Sequence, residues 1–570
     1  MARLVVDPIT RIEGHLRIEA QLSGGKISEA WASGTAFRGL EMILKGRDPR
    51  DAWLFTQRIC SVCTMVHGLA SVRSVENALG VTPPPLANII RNILMAYQYV
   101  QDHTIHFYHL HALDWVDITS ALNADPAATA GLAQSISDWP GNSAQRFKAV
   151  QDKLKAFVAS GKLGPFANGY WGHPAYKLPP EANLMAVSHY LEALDWQREI
   201  IKAHAVLGGK NPVLQTFLVG GMAIPVDANS PSALNVEKLT LLTSLAAKAQ
   251  EFVEKVYIPD LLAVASFYKD WAGIGGGDGN YMSCGDLALD PSGDPKSYAF
   301  PAGIILGRDL SKIVPFSQEK VAEYISRSWY RYGGGDAQGL HPWKGETDPV
   351  YSGPKPPYEE LDVAAKYTWS KAPRYDGLPM EVGPLARMLV GYASGVKRIR
   401  ELVDMTLGKL NVPATALFST LGRTAARGIE TLYAAELLPQ LIGQLTEAIK
   451  SGDTKIHAGE KAWDPEQWPK QAQGVGLHEA PRGTLGHWVV IKDTKIANYQ
   501  AVVPTTWNAS PRDAAGKPGP YEAALVGTPI ADPDRPVEIL RTIHSFDPCI
   551  ACAVHVMDAS GRRVVNVEVS

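Results

Sequence analysis

The sequence predicts an α+β protein that is predominantly α, with a central bundle of long helices, small peripheral β-sheets and long loops. Helical periodicity fills most of residues 51–270 and returns at 383–450, whereas residues 273–380 have weak periodicity and many Gly, Pro, Tyr and Trp residues. Alternating runs typical of strands lie near both ends of the chain. With 570 residues, 46% of them hydrophobic, the chain can bury a large core divided into lobes.

The chain opens with a predicted β-hairpin and continues with long helices. Two alternating runs, 15–22 and 26–31, flank Gly24–Gly25, which is typical of a tight turn between antiparallel strands. Three prolines at 83–85 mark a helix boundary, and residues 125–180 are predicted to be irregular. The predicted helices span residues 51–79, 86–122, 181–207, 232–270, 383–410, 413–432 and 433–450. The last hundred residues are predicted to be strand and loop, with the clearest strands at 488–491 and 496–500.

We expect these segments to form one domain made of lobes rather than several independent domains, because no internal repeat or low-complexity tract divides the chain. The expected parts are a β-hairpin region (1–50), a helical core (51–270), an irregular α/β lobe (273–380), further helices (383–450), a C-terminal strand and loop region (451–555) and a tail (556–570).

Composition excludes several classes of function. The net charge of −3 and pI of about 6.6 provide no basic surface for nucleic acid. The sequence contains no run of about 18 apolar residues that would span a membrane, and its N-terminus does not resemble a signal peptide. If the protein works outside the cytoplasm, we expect another chain to carry it there.

Cysteine usage points to a metal or redox site. Four of the five cysteines form two C-x-x-C pairs at opposite ends of the chain, Cys60 with Cys63 and Cys549 with Cys552. A zinc ribbon joins its pairs within a few tens of residues, so here the whole fold must close before the sulfurs can meet. Converging thiolates select zinc, copper(I), iron–sulfur or nickel–iron chemistry. We expect the fifth, Cys284, to be structural.

Charged residues near these motifs are weaker signals on their own. Arg482 is a candidate for offsetting the negative charge of buried thiolates, although most arginines lie on the surface. A histidine cluster falls on several faces of the predicted helix 86–122, which favours hydrogen-bonded core histidines over metal ligands. Its members are His103, His106, His109 and His111.

The two cysteine motifs resemble the signatures of the large subunit of nickel–iron hydrogenases. The first is R-x-C-x-x-C-x-x-x-H from Arg58 to His67, and the second is D-P-C-x-x-C-x-x-H from Asp547 to His555. The resemblance is greatest to the exported, membrane-associated uptake type. The sequence departs from the family pattern at Ser61, where the family usually has glycine. Further matching segments are Arg11–His15, Arg38–Glu41, His106–Tyr108, Gly208–Lys210, Ser419–Arg423, Glu479–Gly483 and Val503–Trp507.

The resemblance implies a nickel–iron centre and its ligands. All four paired cysteines would bind nickel, and Cys63 and Cys552 would also bridge to an iron that carries one carbon monoxide and two cyanides. Cys60 and Cys549 would be terminal nickel ligands, with Cys549 also accepting the proton released from H2. Ser61 would place a hydroxyl near the sulfur of Cys60. The implied reaction is reversible heterolytic cleavage of H2 to protons and electrons.

Other residues take roles by the same resemblance. Glu13 would relay the proton, and Arg482 would lie above the open nickel position between Asp102 and Asp547. The hydroxyl of Thr505 and the backbone near Pro481 would hydrogen-bond the cyanides, and His67 would orient a bridging sulfur.

A second, harder metal is also implied. Its ligands would be Glu41, the backbone carbonyl of Ala501 and the imidazole of His555, a set that admits magnesium or iron. In this family a tail such as 556–570 is removed by a dedicated protease after nickel insertion, so the sequence is interpreted as a precursor.

The resemblance implies partners as well. No iron–sulfur cluster is expected in this chain, because Cys284 alone cannot supply the ligands a cluster needs. An iron–sulfur small subunit would take the electrons, and a membrane subunit would accept them. The small subunit's export signal would carry the pair to the periplasmic side of the cytoplasmic membrane. Three alternatives remain: a structural zinc protein, a quinone-reductase subunit of the respiratory complex I type and a thiol–disulfide oxidoreductase.

Overall fold

The computed structural model describes residues 3–161, 166, 169–354 and 359–550. Within these ranges helices and strands are mixed, as the sequence predicts, with helix the larger share. The seventeen α-helices are α1 Leu40–Leu44, α2 Ala52–Thr56, α3 Thr64–Leu79, α4 Pro85–Ile105, α5 Pro126–Ile136, α6 Ala144–Ala159, α7 Pro180–Ile200, α8 Lys202–Gly208, α9 Val236–Phe252, α10 Ile258–Phe267, α11 Pro384–Ala393, α12 Lys397–Leu410, α13 Thr420–Lys450, α14 Glu460–Trp463, α15 Pro504–Asn508, α16 Pro520–Leu525 and α17 Val537–Ser545.

The strands form six small antiparallel sheets in the described ranges. Two sheets have three strands, β1-β2-β3 and β12-β13-β14, and the other four are pairs. The strands are β1 Arg3–Val6, β2 Leu16–Ser23, β3 Lys26–Gly34, β4 Phe217–Leu218, β5 Gly221–Met222, β6 Tyr281–Ser283, β7 Asp286–Ala288, β8 Tyr298–Phe300, β9 Gly303–Ile305, β10 Val321–Tyr324, β11 Ala372–Tyr375, β12 Gln471–Ala480, β13 Gly483–Lys492 and β14 Lys495–Val502.

The predicted N-terminal hairpin is confirmed. Strands β2 and β3 pair antiparallel on either side of Gly24 and Gly25, whose φ angles are 59° and 75°. Positive φ at both central residues is the geometry that matches the natural twist of a two-residue hairpin, and glycine adopts it without strain. Strand β1 adds to the free edge of β2.

The first cysteine pair does not lie in a helix, contrary to the pattern of residues 51–79. Helix α2 ends at Thr56 and α3 begins at Thr64, so Cys60 and Cys63 occupy the connection between them. The predicted helix 86–122 is also shorter. Helix α4 begins at the proline boundary and ends at Ile105, where π-helical turns continue it through His106–His111.

Helices α5 and α6 show that the prediction of irregular structure for residues 125–180 was wrong for much of that stretch. Asp125 caps α5 by accepting hydrogen bonds from two backbone N–H groups, and Ser143 caps α6 in the same way through Arg146. Alanine-rich composition and these caps favour helix, and the nearby Gly, Pro and aromatic residues masked the signal.

The predicted break between residues 432 and 433 does not exist. Helix α13 runs without interruption for 31 residues and accommodates Pro439. It is buried over most of its length and packs against α4, α9 and α11. Tertiary packing therefore outweighs the loss of one helical hydrogen bond at the proline.

The C-terminal region contains more helix than predicted. Strands β12, β13 and β14 form the expected strand-rich meander, but α15, α16 and α17 follow it. Strand β12 lies directly on α3, because a Cβ atom at Gly476 would come within 1.9 Å of the Ala70 carbonyl oxygen. Only glycine permits this approach of strand to helix backbone.

The two ends of the chain share one hydrophobic cluster, which brings the cysteine motifs together. Leu16 and Ile18 of β2 belong to the same buried cluster as Ile539 and Ile543 of α17. Backbone hydrogen bonds join Ile27 to the segment that follows α16. The burial of these apolar side chains therefore holds the two ends of the chain together near the cysteine motifs. Over the described ranges, no helix is both long and apolar enough to cross a lipid bilayer.

Candidate metal centre

Cys60 and Cys63 lie on the tight connection that leads into α3. Cys63 is the N-cap residue of that helix, and the backbone N–H groups of Val62 and Cys63 point at the Cys60 sulfur from 3.3 and 3.2 Å. Amide donors at a helix N-terminus favour a negatively charged acceptor. The local backbone therefore stabilises a thiolate at Cys60.

Cys549 reaches the same place from the opposite end of the chain. Asp547 adopts a left-handed backbone conformation, with φ of 58°, just after α17 ends. The Cys549 N–H then donates to the Thr505 hydroxyl at 3.1 Å, and the Ile550 N–H donates to the Glu13 carbonyl at 2.7 Å. These bonds fix the backbone on both sides of the Cys549 sulfur.

The described cysteine sulfurs form a compact buried cluster. The sulfur atoms of Cys60, Cys63 and Cys549 all lie within 4.8 Å of one another, and those of Cys60 and Cys549 are 3.1 Å apart. Cys552 and His555 lie outside the described residues. Converging soft donors in an enclosed position fit a thiolate-bound transition metal such as nickel. Cys284 is absent from the cluster; it is buried elsewhere, and burial raises the pKa of its thiol.

Glu13 lies beside both cysteine segments. Its backbone forms a parallel bridge with Cys549, and its Oε1 atom accepts a hydrogen bond of 2.7 Å from the Ser61 hydroxyl. The sequence predicts that the hydroxyl of Ser61 lies near the sulfur of Cys60. In the structure this hydroxyl donates its hydrogen bond to Glu13.

Arg482 is presented by the two-residue turn between β12 and β13. Its Nη2 atom is 2.9 Å from Asp547 and its Nη1 atom is 3.4 Å from Asp102, so each arm contacts a different carboxylate. Burial raises the pKa of Asp102 to about 7 despite the neighbouring guanidinium. Burial by itself lowers the pKa of Arg482, but the nearby Asp547 and Asp102 carboxylates and the cysteine sulfurs together outweigh it. The pKa of Arg482 therefore lies above its ordinary value. The predicted grouping of Arg482, Asp102 and Asp547 is therefore observed.

A buried ion network below this turn was missed from the sequence. Arg387 pairs with Glu430 at 2.5 Å and Glu479 at 2.7 Å, and it also donates to the carbonyl of Pro481 at 2.7 Å. His103 completes the network with a 2.8 Å contact to Glu430. Buried arginine is stable only when its donors are satisfied in this manner. Arg387 has no local sequence signal, since its partners lie 43 and 92 residues away.

His67 belongs to a hydrogen-bonded chain behind the cysteines. Its Nδ1 atom is 3.2 Å from Nε2 of His487, whose Nδ1 is 2.7 Å from the Tyr499 hydroxyl. Burial lowers the pKa of His67 to about 4, so this imidazole is neutral near pH 7. With Nδ1 engaged by His487, the ring is held in one orientation.

Thr505 and Pro481 each already have a hydrogen-bond partner in the protein. Thr505 Oγ1 accepts the Cys549 N–H at 3.1 Å, so Thr505 lies beside the cluster. The Pro481 carbonyl accepts a hydrogen bond from Arg387 at 2.7 Å, and the Ala480 carbonyl accepts a second one from the same guanidinium at 2.8 Å. These two bonds anchor the turn that presents Arg482.

Glu41 lines a separate polar cavity with Ala501. Its Oε1 accepts the Ala501 N–H at 3.0 Å, whereas the sequence predicts a role for the carbonyl of that residue. Lys371 lies 3.7 Å from Glu41 and 3.3 Å from Glu323, and burial raises the pKa of Glu323 to about 7. Two carboxylates in one cavity are hard oxygen donors that fit magnesium or a similar cation.

The histidine cluster is hydrogen-bonded, as predicted. His109 contacts the Tyr190 carbonyl at 3.0 Å, and His106 contacts the His544 carbonyl at 2.6 Å. His111, Asp114 and His544 have the spacing of a metal site, but Arg11 also pairs with Asp114 at 2.5 Å. The Arg11 guanidinium therefore offsets the negative charge of Asp114, as a metal ion would otherwise do.

The geometry at both chain ends agrees with comparisons to known proteins. A family model described as nickel-dependent hydrogenase matches residues 38–555, and one described as HoxL-like matches residues 3–31. The chain belongs to the nickel-dependent hydrogenase family. It is the catalytic large subunit of a nickel–iron hydrogenase, an oxidoreductase that oxidises H2, and its family implies a small-subunit partner. This decides against the three alternative functions.

Relatives and solved structures of hydrogenases cover nearly the whole chain. The uptake hydrogenase large subunit of Bradyrhizobium diazoefficiens is 53% identical over 100% of this chain and 97% of that protein. The hydrogenase-1 large chain of Escherichia coli K12 is 49% identical with the same coverage. The nickel–iron–selenium hydrogenase structure from Desulfovibrio vulgaris Hildenborough has a TM-score of 0.75 and 34% identity, covering 97% of this chain and 100% of that one.

Proposed function

We propose that the four paired cysteines hold the nickel–iron centre, with Cys63 and Cys552 bridging the two metals and one carbon monoxide and two cyanides on the iron. The observation that carries this proposal is the meeting of three buried sulfurs from opposite chain ends within 4.8 Å. Family membership supplies the metals, and the donor set matches their preference for thiolates.

When bound, the metal pair would supply the chemistry that oxidises H2 to two protons and two electrons, beginning with heterolytic cleavage of the H–H bond. In this chain Cys549 is the base that first accepts the proton, since its sulfur is buried where water cannot compete. Glu13 takes the proton onward, because its backbone is bridged to Cys549 and its side chain lies toward the partly exposed edge of the site. The proton therefore leaves through the N-terminal segment.

Arg482 offsets the negative charge of the thiolates, and Asp102 and Asp547 hold its two arms apart above the site. The Thr505 hydroxyl and the backbone near Pro481 would donate hydrogen bonds to the cyanides. His67 orients a bridging sulfur through the ring nitrogen that does not contact His487.

A hard cation, magnesium or iron(II), completes the cavity around Glu41. Glu41, the carbonyl of Ala501 and His555 are its proposed ligands, and Lys371 and Glu323 set the charge around it. Through His555, such a cation would hold the processed C-terminus in place. Residues 556–570 are then a propeptide removed by a maturation protease after nickel-insertion proteins have acted, and the family match ends at residue 555.

The iron–sulfur small subunit docks on the face that exposes the cysteine loop. Val62, beside Cys63, is exposed, as are Met42 and Ile43 of α1 and Leu54 of α2. Helix α1 packs on α2, and α2 packs on α3, so these apolar side chains belong to one face. An iron–sulfur partner seated there receives electrons directly from the site. We propose that the pair is co-exported to the periplasmic side of the cytoplasmic membrane and passes electrons to a membrane subunit, as the resemblance to the uptake type implies.

We also propose that α4, α9 and α13 form the central bundle, since α13 packs against both of the other helices. The regions 1–50, 51–270, 273–380, 383–450 and 451–555 would then be lobes of a single domain.

Metal analysis and infrared spectroscopy of the purified heterodimer test the proposal. We expect one nickel per heterodimer, iron in addition to that of the small subunit's iron–sulfur clusters, and diatomic stretching bands of carbon monoxide and cyanide. Cys60→Ser should lose nickel while the chain still folds. Zinc without nickel, or the absence of those bands in active enzyme, would show that the proposed centre is wrong.

A further inference from the structure

Ser61 is a residue of the first cysteine motif to which the proposed function assigns no role. It lies on the loop between the two ligand cysteines Cys60 and Cys63, and its hydroxyl donates to Glu13 Oε1 at 2.7 Å. Its backbone N–H lies 3.4 Å from the same oxygen, a longer and weaker contact. The side chain therefore provides the main restraint on that carboxylate oxygen from this loop.

We propose that Ser61 is a positioning residue for the proton relay, holding the Glu13 carboxylate at the edge of the metal centre. The proposal rests on the proposed relay role of Glu13 and deepens it. Glu13 is tied through its backbone carbonyl to the C-terminal cysteine segment by the Ile550 N–H at 2.7 Å. Ser61 ties its side chain to the N-terminal cysteine loop, so the carboxylate spans the two segments that carry the sulfurs.

The surroundings explain why the hydroxyl is available for this contact. The Cys60 sulfur already receives two backbone N–H groups, from Val62 and Cys63. A hydroxyl is both a donor and an acceptor, so the contact between Ser61 and Glu13 persists whether or not the carboxyl carries a proton. A glycine at this position would leave the flexible glutamate side chain with only the longer amide contact.

The experiment compares Ser61→Ala, Ser61→Gly and Ser61→Thr with the wild-type heterodimer. We measure H2–D2O exchange per nickel and determine crystal structures of the wild type and Ser61→Ala. We expect Ser61→Ala and Ser61→Gly to lower exchange roughly tenfold at unchanged nickel content, because a displaced relay group transfers protons poorly. Ser61→Thr, which keeps the hydroxyl, should restore most of the rate. The Glu13 side chain should lose its single position in the Ser61→Ala crystal.

Glu13→Gln in the same series separates this proposal from the proposed function. If Glu13→Gln loses exchange but Ser61→Ala exchanges at the wild-type rate with Glu13 unmoved, the positioning role is wrong and the relay stands. If Glu13→Gln itself exchanges normally, the relay and the positioning role both fail. A double variant no slower than Glu13→Gln supports action of Ser61 through Glu13.

Discussion

The sulfur atoms of Cys60 and Cys549 lie 3.1 Å apart although 489 positions separate them in the chain. The hydrophobic cluster shared by β2 and α17 and the backbone bond from Ile550 to Glu13 bring these ends together. The metal centre is thus a product of the complete fold, and changes at either end should disable it.

Cys549→Ser should abolish H2 oxidation, because an alcohol is a poor replacement for a thiolate ligand of nickel and a poor proton acceptor. Cys284→Ser is the matched control, since Cys284 is buried but lies outside the sulfur cluster. We expect the control to retain activity and nickel. Activity assays and nickel analysis of both heterodimers check this, and turnover by Cys549→Ser would contradict the ligand role.

Glu13→Gln should lower H2–D2O exchange by about a hundredfold or more while nickel content stays normal, because the amide cannot carry a proton away from the site. Glu29→Gln on β3 provides a control, since Glu29 is an exposed carboxylate of the N-terminal sheet and lies outside the cysteine segments. Its exchange rate should match the wild type. Equal rates in all three proteins would remove Glu13 from the relay.

Arg387→Met should destabilise the protein by about 3–5 kcal/mol, because it leaves Glu430 and Glu479 buried without their cation. Arg398 makes a similar contact of 2.5 Å with Glu436, but its side chain is 45% exposed. Arg398→Met should therefore cost less than about 1 kcal/mol. Urea unfolding of the two variants measures the difference in their free energies of unfolding. Similar losses in both variants would show that burial does not determine how much Arg387 contributes to stability.

Glu522→Gln should flatten the pH dependence of stability. Burial raises the pKa of Glu522 from 4.5 in the unfolded chain to about 7, so the folded wild type binds the extra proton and loses stability as pH rises from 4.5 to 7. The variant lacks this contribution, which amounts to about 3 kcal/mol. Its stability relative to the wild type should rise across that interval in thermal unfolding. Glu319→Gln, at an exposed position, should follow the wild-type curve.

Active enzyme should contain a large subunit that ends at His555. We propose that removal of residues 556–570 would let His555 reach the cavity of Glu41 and bind the proposed hard cation. Intact-mass spectrometry of the active heterodimer checks the length directly. A fully active preparation whose large subunit extends to residue 570 would show that the processing proposal is wrong.

The sequence alone located most of the residues of the candidate site, because ligand and relay chemistry depends on residue type and on spacing within short motifs. Cys60, Cys549, Glu13, Arg482 and Asp102 are all brought to one region. The partners of Arg387 were missed because buried ion pairs join residues far apart in the chain. The hydrogen-bond partner of the Ser61 hydroxyl was also beyond prediction, since it depends on where the fold places the Glu13 carboxylate.

The fold shows the same difference between features set by local sequence and features set by long-range packing. Local patterns were sufficient for the β2–β3 hairpin, whose glycine turn is determined by neighbouring residues. They were insufficient for α13, which continues through Pro439 because its long buried face packs on three other helices. The sequence by itself determined which side chains carry the chemistry. Tertiary packing alone decided where they meet. The two chain ends are joined by buried apolar side chains that are far apart in the sequence, so no local segment contains the information.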